Sequence, residues 1–332
     1  MKIAIDIMSG DNAPKCNIDG VVNTLKNTKE IFFTLVGNKD VIKKNKILNQ
    51  YKKNFNIVHT TQIVDLNDIP SRIIKTKPDS SLVKCIQLLK EKKVDAIISA
   101  GNTGCLLASA LLTLGKIKGI SRPALAAYIP NEKKGFILCD IGANSNNKPI
   151  HLLEFALMSK AYIQYLEDIK HPKIALLNIG QEGNKGNELT KQTYQLLKNN
   201  IANFVGNIES RYIFNNRADI IICDGFTGNI VLKLIEGTIN KMINWTTNSI
   251  NSHSISKFAK PMMYPVFSDI KKTFDYEEHG ATPLLGVNGI VLKCHGSSNK
   301  KAIENAIIKA QKCIANNFIK KIESTLIKEM II

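Results

Sequence analysis

Val94 to Leu114, V-D-A-I-I-S-A-G-N-T-G-C-L-L-A-S-A-L-L-T-L, decides how this chain is read. Val94, Ala96, Ile97 and Ile98 form a short apolar run that enters the polar turn Ser99-Ala100-Gly101-Asn102-Thr103-Gly104. Beyond it Leu106, Leu107, Ala110, Leu111 and Leu114 recur at helical spacing. The pattern is strand, tight turn, helix. Asn102 or Thr103 suits the N-cap, and Gly101 and Gly104 let the backbone turn sharply and let a ligand come close to it. Unpaired N–H groups at the start of such a helix, with its dipole, favour phosphate or carboxylate. A capped helix that binds nothing would have the same spacing, so the weight lies in how often the chain repeats the design.

Outward from that stretch, the repeats are frequent. The first strand ends in Asp6-Ile7-Met8-Ser9-Gly10-Asp11-Asn12-Ala13-Pro14, and a helix starts from Pro14. Strands at 31–36 and 55–59 and helices after Asn38 and over 80–92 complete the first part. Arg122–Tyr128 and Gly135–Asp140 read as neighbouring strands, the second ending in Asp140-Ile141-Gly142-Ala143-Asn144 before a helix over 149–167. The strand 173–178 ends at Asn178 and leads into Gly180-Gln181-Glu182-Gly183-Asn184-Lys185-Gly186-Asn187-Glu188. The strand 218–223 leads into Asp224-Gly225-Phe226-Thr227-Gly228-Asn229, and 287–294 into His295-Gly296-Ser297-Ser298 before a long last helix. Strands alternating with helices predict a largely parallel sheet covered on both faces. Ligands bind outside the carboxyl ends of strands in such sheets, so these turns are expected to converge on one anion-binding site.

Composition bounds the function class. With 44% hydrophobic and 22% charged residues, the 332-residue chain reads as soluble and globular. A first apolar strand without a signal-peptide pattern, and no run of roughly 18 apolar residues, predict a cytoplasmic protein. The seven cysteines are scattered with no C-x-x-C pair, as for buried thiols in a reducing compartment. A formal net charge of +17 points to an acidic partner, although the lysines are dispersed and codon drift toward AT-rich triplets could supply much of the excess. At 6% aromatic residues and with no recognition motif, nucleic acid is not expected. Gly180-x-x-Gly183-x-x-Gly186 is not a dinucleotide fingerprint, and neither a Walker A sequence nor a G-x-S-x-G elbow occurs. The six histidines lack metal-ligand spacing, so neither metal nor cofactor is expected.

These turns, in this order, resemble the PlsX family of phosphate acyltransferases. The matching stretches are Asp6-x-Met8-x-Gly10-Asp11-x-Ala13-Pro14-Lys15, Ile98–Gly104, Arg122–Ala126, Asp140-x-Gly142-Ala143-Asn144, Leu177-Asn178-x-Gly180, Lys185–Leu189, Asp224–Asn229 and Lys293-x-His295-Gly296-Ser297-Ser298. Ser9 and His279 stand where the family usually has glycine. The resemblance implies one α/β/α domain over 1–332, three-layered with a mostly parallel sheet, like isocitrate dehydrogenase and phosphotransacetylase, and a helical protrusion at about 245–275. It further implies a homodimer that moves a long-chain acyl group from acyl carrier protein to inorganic phosphate, supplying acyl phosphate for phospholipid synthesis by a membrane glycerol-3-phosphate acyltransferase. No cofactor is needed, since phosphate is itself the nucleophile and thiolate a tolerable leaving group.

Within that reading, phosphate is expected on the backbone of Gly101, Asn102, Thr103 and Gly104, with Lys185 as its cation. Asn229 and Lys233, four apart on one helix face, are expected to serve the carbonyl oxyanion, and His295 with Ser297 the leaving thiolate. Asp6, Gly10, Asp11, Asp140, Asn144, Asn178, Asn187, Asp224 and Thr227 are expected to line the substrates. A dehydrogenase of the isocitrate type and a non-catalytic membrane scaffold are the rival readings; the first lacks a nicotinamide pocket in the sequence.

One stretch stands apart, Ser254 to Phe274. Ile255, Phe258, Ala259, Met262, Met263, Val266, Phe267, Ile270 and Phe274 fall on one helical stripe, with Lys257, Lys260, Lys271 and Lys272 off it. Pro261 and Pro265 imply two short helices or a kink. A dimer contact fits the stripe as well as an interfacial membrane helix does, and the resemblance favours the membrane, with Phe258, Met262, Met263, Val266 and Phe267 inserted and the protein peripherally attached. Replacing Met263 and Phe267 by Glu is expected to abolish flotation with anionic liposomes while leaving soluble activity and dimer mass intact; loss of the dimer instead would make the stripe a subunit contact.

Overall fold

The computed structural model describes residues 1–166, 169–252 and 280–329. Ser254 to Phe274, with the candidate membrane residues Phe258, Met262, Met263, Val266 and Phe267, lies outside the described residues. In chain order the elements are β1 (Lys2–Asp6), α1 (Lys15–Asn27), β2 (Phe32–Gly37), α2 (Lys39–Lys43), β3 (Phe55–His59), α3 (Ile73–Thr76), α4 (Ser81–Lys90), β4 (Ala96–Ser99) and α5 (Thr103–Leu114). There follow β5 (Ala124–Ile129), β6 (Phe136–Cys139), α6 (Pro149–Leu166), β7 (Ile174–Asn178), α7 (Glu188–Asn200), β8 (Phe204–Glu209), β9 (Ile220–Ile222) and α8 (Gly225–Ser252). The last are β10 (Ala281–Leu285), β11 (Ile290–Cys294), α9 (Lys300–Ala315) and α10 (Phe318–Glu329).

One 11-stranded sheet runs β3-β2-β1-β4-β11-β10-β5-β6-β9-β7-β8. Its inner strands are apolar without alternation, β4 being buried at every position, as expected where helices cover both faces. Pairing is parallel from β3 through β11 and again from β6 through β8. Between these blocks β10 is antiparallel to β11 and β5, and β5 is antiparallel to β6. The two blocks therefore point in opposite directions. This corrects the expectation that all the strand-end turns converge: those after β1, β4 and β11 lie at one end of the sheet, and those after β6, β7 and β9 at the other. The cause is local. The strands β5 and β6 close as a hairpin whose turn is tied by Asn131 Oδ1, which accepts from the N–H groups of Lys133 and Gly135 at 2.9 Å each.

Two helical layers cover the sheet. On one face α1 and α9 pack over the first block through Val21, Leu25, Ile303 and Ile307, and α6 and α10 over the second through Phe155, Tyr162, Phe318 and Ile322. On the other face α4 and α5 cover the first block through Leu82, Ile86, Leu106 and Ala110. There α8 covers the second block with Val231, Leu232 and Ile235. The middle of that face, over the direction reversal, lies between α5 and α8.

Buried carboxylates hold the turns. Asp6 is 1% exposed, and its Oδ2 accepts from Ser9 Oγ at 2.5 Å and from Ser99 Oγ at 2.7 Å, joining the ends of β1 and β4. Asp140 is fully buried and accepts from the N–H groups of Leu125, Ala143 and Asn144 at 3.1, 3.0 and 2.8 Å and from Asn144 Nδ2 at 2.9 Å. Against this turn α8 begins at contact distance. A Cβ at Gly228 would sit 1.9 Å from the Asp140 carbonyl oxygen and 2.8 Å from Cys223 Sγ.

Two outcomes follow from this packing. Gly228→Ala is expected to lower stability by about 3 kcal/mol in chemical denaturation. Gly237→Ala on the same helix, where nothing lies within 4 Å, should be neutral or stabilising by roughly 0.5–1 kcal/mol. Equal effects would contradict the close approach. Burial raises the Asp6 carboxyl above its ordinary value, with hydrogen bonds from Ser9 and Ser99 pulling it back. The folded chain thus keeps this proton to higher pH than the unfolded chain, and the stability it contributes is full below the ordinary carboxylate value and lost as pH rises through the raised one. The stability of the native chain relative to Asp6→Asn is expected to fall from acid to neutral pH; a pH-independent difference would remove Asp6 as the cause.

Candidate active site

The gap between α5 and α8 is a cavity of about 450 Å³, of ordinary size for a small-molecule site. Leu125, Ala127 and Ile129 of β5, Ile141, and Leu232, Ile235 and Ile239 of α8 give it an apolar wall. Thr103 and Gly104 enter from the start of α5, and Asn229, Lys233 and Glu236 from α8. Thr282, Lys293 and His295 complete the lining from β10, β11 and the turn beyond. An anion-seeking helix terminus, the cationic or titratable side chains of Lys233, Glu236, Lys293 and His295, and an apolar trough therefore share one enclosure.

Each polar group is positioned by its element. Asn102 is the N-cap of α5, accepting from Cys105 N–H at 3.0 Å, while its amide donates to the Leu66 carbonyl at 3.2 Å. Ser99 Oγ accepts from the Gly101 N–H at 3.1 Å, so the buried Asp6 network reaches into the turn that opens α5. The turn Ser9–Asp11 packs on it: a Cβ at Gly101 would meet Ser9 Oγ at 2.9 Å, and one at Gly10, where φ is +105°, would meet Ala100 Cβ at 3.0 Å. Asp11 N–H donates to the Gly296 carbonyl at 2.7 Å, and Asn12 Nδ2 to the Ser297 carbonyl at 3.0 Å. Asp6, Gly10, Asp11, Gly101 and Asn102 thus build the frame around Thr103 and Gly104 and are not themselves in the cavity lining.

His295 is exposed at the rim. Its Nδ1 accepts the Ser297 backbone N–H at 3.2 Å and lies 2.7 Å from Ser297 Oγ. A ring nitrogen accepting from an amide carries no proton, so in neutral His295 the proton is on Nε2. Ser297 acts on the site through this ring. Glu236 is half-buried; burial raises its carboxyl, and His295 and Lys233 draw it back, which places the three charges within one another's field.

At the opposite end of the sheet, Asn229 lies against Gly142, where φ is +127° and a Cβ would sit 2.8 Å from Asn229 Nδ2. Asp224 caps α8, accepting from Thr227 N–H at 2.9 Å and Thr227 Oγ1 at 2.7 Å. Asn144 donates to the Pro123 carbonyl at 2.7 Å as well as to Asp140. Asn178 Nδ2 donates to the Lys185 carbonyl at 3.1 Å, and Asn187 caps α7. Asp140, Asn144, Asn178, Asn187, Asp224 and Thr227 are occupied in shaping turns. Lys185 sits on the turn after β7, at the same sheet end as Asn229, and does not line the cavity.

Of the residues anticipated from sequence, Thr103, Gly104, Asn229, Lys233 and His295 are brought together here. Lys293, Glu236 and the β5 wall were not among the expected site residues, Lys293 and part of β5 being quoted above only within matching stretches. A signal existed for the first two: Lys293 alternates with Val291 and His295 on one strand face, and Glu236 lies three residues beyond Lys233 on its helix. Among the described residues no group of three or more His, Cys, Asp or Glu is placed to hold a metal ion, and no helix is long and apolar enough to cross a membrane.

Comparison with known proteins fits this geometry. The family described as "Fatty acid synthesis protein" matches residues 1–321. The phosphate acyltransferase of Clostridioides difficile (strain 630) is 46% identical over 309 residues, covering 92% of this chain and 91% of its own. That of Dictyoglomus turgidum is 45% identical over 327 residues, covering 97% and 96%. Among solved structures, a phosphotransacetylase from Streptococcus pyogenes shares the fold with a TM-score of 0.58 at 18% identity over 94% of each chain. A 4-hydroxythreonine-4-phosphate dehydrogenase from Klebsiella pneumoniae does so at 0.53 and 12%, over 94% of this chain and 98% of its own. At such identities the structural likeness establishes the three-layer α/β/α fold alone. The sequence relatives carry the assignment further: the chain belongs to the phosphate acyltransferase family and is a transferase enzyme.

Proposed function

We propose that this enzyme transfers a long-chain acyl group from acyl carrier protein to inorganic phosphate, releasing acyl phosphate for phospholipid synthesis. The observation that carries the reading is the single cavity in which an apolar trough adjoins the start of α5 and the polar face of α8. A fatty chain fits the trough, and the N–H groups at Thr103 and Gly104 suit phosphate. A phosphate oxygen attacks the thioester carbonyl carbon, the C–O bond forms, and the carbonyl electrons move onto oxygen. Asn229 or Lys233 donates to that oxyanion. As the C–S bond breaks, the His295 Nε2–H, held in that tautomer through Nδ1 and Ser297, donates a hydrogen bond to the departing sulfur, and the proton that the thiolate takes up comes from the attacking hydrogen phosphate. Positioning and charge carry the reaction.

The framework residues Asp6, Gly10, Asp11, Gly101 and Asn102, and on the other side Asp140, Asn144, Asn178, Asn187, Asp224 and Thr227, serve by holding these groups in place. Lys185 meets substrate only from the Asn229 end, where its ammonium would suit an acidic group of the carrier. Phe226, Ile230, Leu234 and Trp245, each more than half exposed along α8, support a covered surface there, which we assign to the second subunit. The segment that follows is the membrane contact, which places the enzyme at the cytoplasmic face beside the glycerol-3-phosphate acyltransferase that uses its product.

Hydroxylamine trapping tests the reaction. Above the direct reaction of hydroxylamine with the thioester, measured without enzyme, acyl hydroxamate should form from acyl carrier protein thioester only when phosphate is present, and Asn229→Ala should lower turnover on the order of 10²-fold. Enzyme-dependent formation without phosphate, or near-normal turnover in Asn229→Ala, would refute the reaction or that role respectively.

A further inference from the structure

Three neighbouring parallel strands end in polar side chains on the face that carries α5. Asp6 closes β1, Ser99 closes β4, and Lys293 stands opposite Ser99 in the register of β4 with β11. Their shared face is fixed by their neighbours two residues back, Ala4, Ile97 and Val291, which belong to one apolar cluster under α4 and α5. Asp6 Oδ2 accepts from Ser9 and Ser99, and Ser99 in turn holds the Gly101 N–H. Lys293 is the member of this row that reaches the cavity.

Its surroundings give a lysine little reason to be there. The Nζ donates to the carbonyl of Cys294, the next residue of its own strand. Among the described residues no carboxylate is in ion-pair contact with it, although Asp6 and Asp11 are near enough to favour its charge. Burial is the largest influence on the amine and drives it below its ordinary value. A half-buried cation on the wall of a largely apolar cavity is costly unless an anion joins it. Of the other cations, Lys233 belongs to the opposite wall on α8, Lys309 lines the cavity from α9 with its Nζ donating to the Ala281 carbonyl at 3.0 Å, and Lys185 is outside the cavity; Lys293 is the one whose strand adjoins the strand leading into α5. The first turn of α5 contains no charged side chain, so the helix offers phosphate only its partial positive end.

We infer that Lys293 is the cation that holds inorganic phosphate against the N-terminus of α5, one strand away from the turn that supplies the N–H groups. The inference rests on the proposed transfer of acyl groups to phosphate in this cavity. Lys293 is a substrate-binding residue in this role, neutralising the nucleophile's charge while leaving an oxygen free to attack.

The test separates phosphate from the carrier and from folding. Inorganic phosphate is titrated into the enzyme without acyl donor and followed by ³¹P line broadening, and the Michaelis constants for phosphate and for acyl carrier protein thioester are measured in parallel. Losing a charged hydrogen-bond partner is worth at least about tenfold. Lys293→Met should weaken phosphate binding and raise the phosphate Michaelis constant by about that factor or more, and Lys293→Arg should recover most of the loss. The Michaelis constant for the thioester should change less than about twofold, which a general distortion of the cavity would not spare. Unchanged phosphate binding in a folded Lys293→Met overturns the inference, as does a loss confined to the thioester, which would place the lysine on the carrier's phosphopantetheine. A native enzyme that binds phosphate through Lys293 yet forms no acyl hydroxamate would instead refute the proposed reaction and leave the phosphate site standing.

Discussion

The Asp140 carboxylate is the point on which the site is assembled. It is fully buried and accepts hydrogen bonds from the backbone of β5, from the turn that follows β6 and from Asn144, so one side chain binds together the strands where the sheet changes direction. The glycines that open α8 press on the same turn, and their missing side chains are what let the helix approach. Burial pushes the Asp140 carboxyl up while the hydrogen bonds pull it down. A carboxylate removed from water persists only where such donors replace its hydration. With this junction fixed, α8 must run across the face of the sheet toward α5, and the cavity is the space left between them.

A reversal in the middle of a sheet changes where chemistry is found. In a uniformly parallel sheet the helix termini gather at one edge. Here each block gathers its own, and the link between the two ends is α8, which carries Asn229 at one end of the cavity and Ile239 toward the other. The trough between is apolar because its floor is the inner strand β5, while polar groups enter from α5, α8 and β11. One enclosure thereby offers an anion and a hydrocarbon chain adjacent places. That is the physical demand of joining a fatty acyl group to phosphate.

Much of this was readable in the residues. The stretch from Val94 to Leu114 folds as strand, turn and helix with Asn102 as its cap, and Ser80 caps α4 by accepting from Val83 N–H, because local chemistry alone decides such features. The reversal was not readable, since βα alternation looks the same in either direction. β10 went unseen because Pro283 argues against a central strand, although it pairs there with Leu292. β8 was hidden by Gly206 at φ +94° and by an irregular register with β7. The turns that carry glycine and asparagine drew attention to Lys185, Asp6 and Asp140, yet most of those residues are occupied in holding backbone. Lys293, on an ordinary-looking strand, needed the register to bring it beside Ser99.

The central claim is that phosphate is bound where α5 begins, in the cavity shared with α8. Arsenate, a phosphate analogue with an anomalous scattering edge, locates that position directly in crystals of the enzyme. The account predicts the arsenic peak within hydrogen-bonding reach of the Thr103 and Gly104 N–H groups and beside Lys293. A peak on the turn after β7 at Lys185, with the cavity empty of anion, would contradict it.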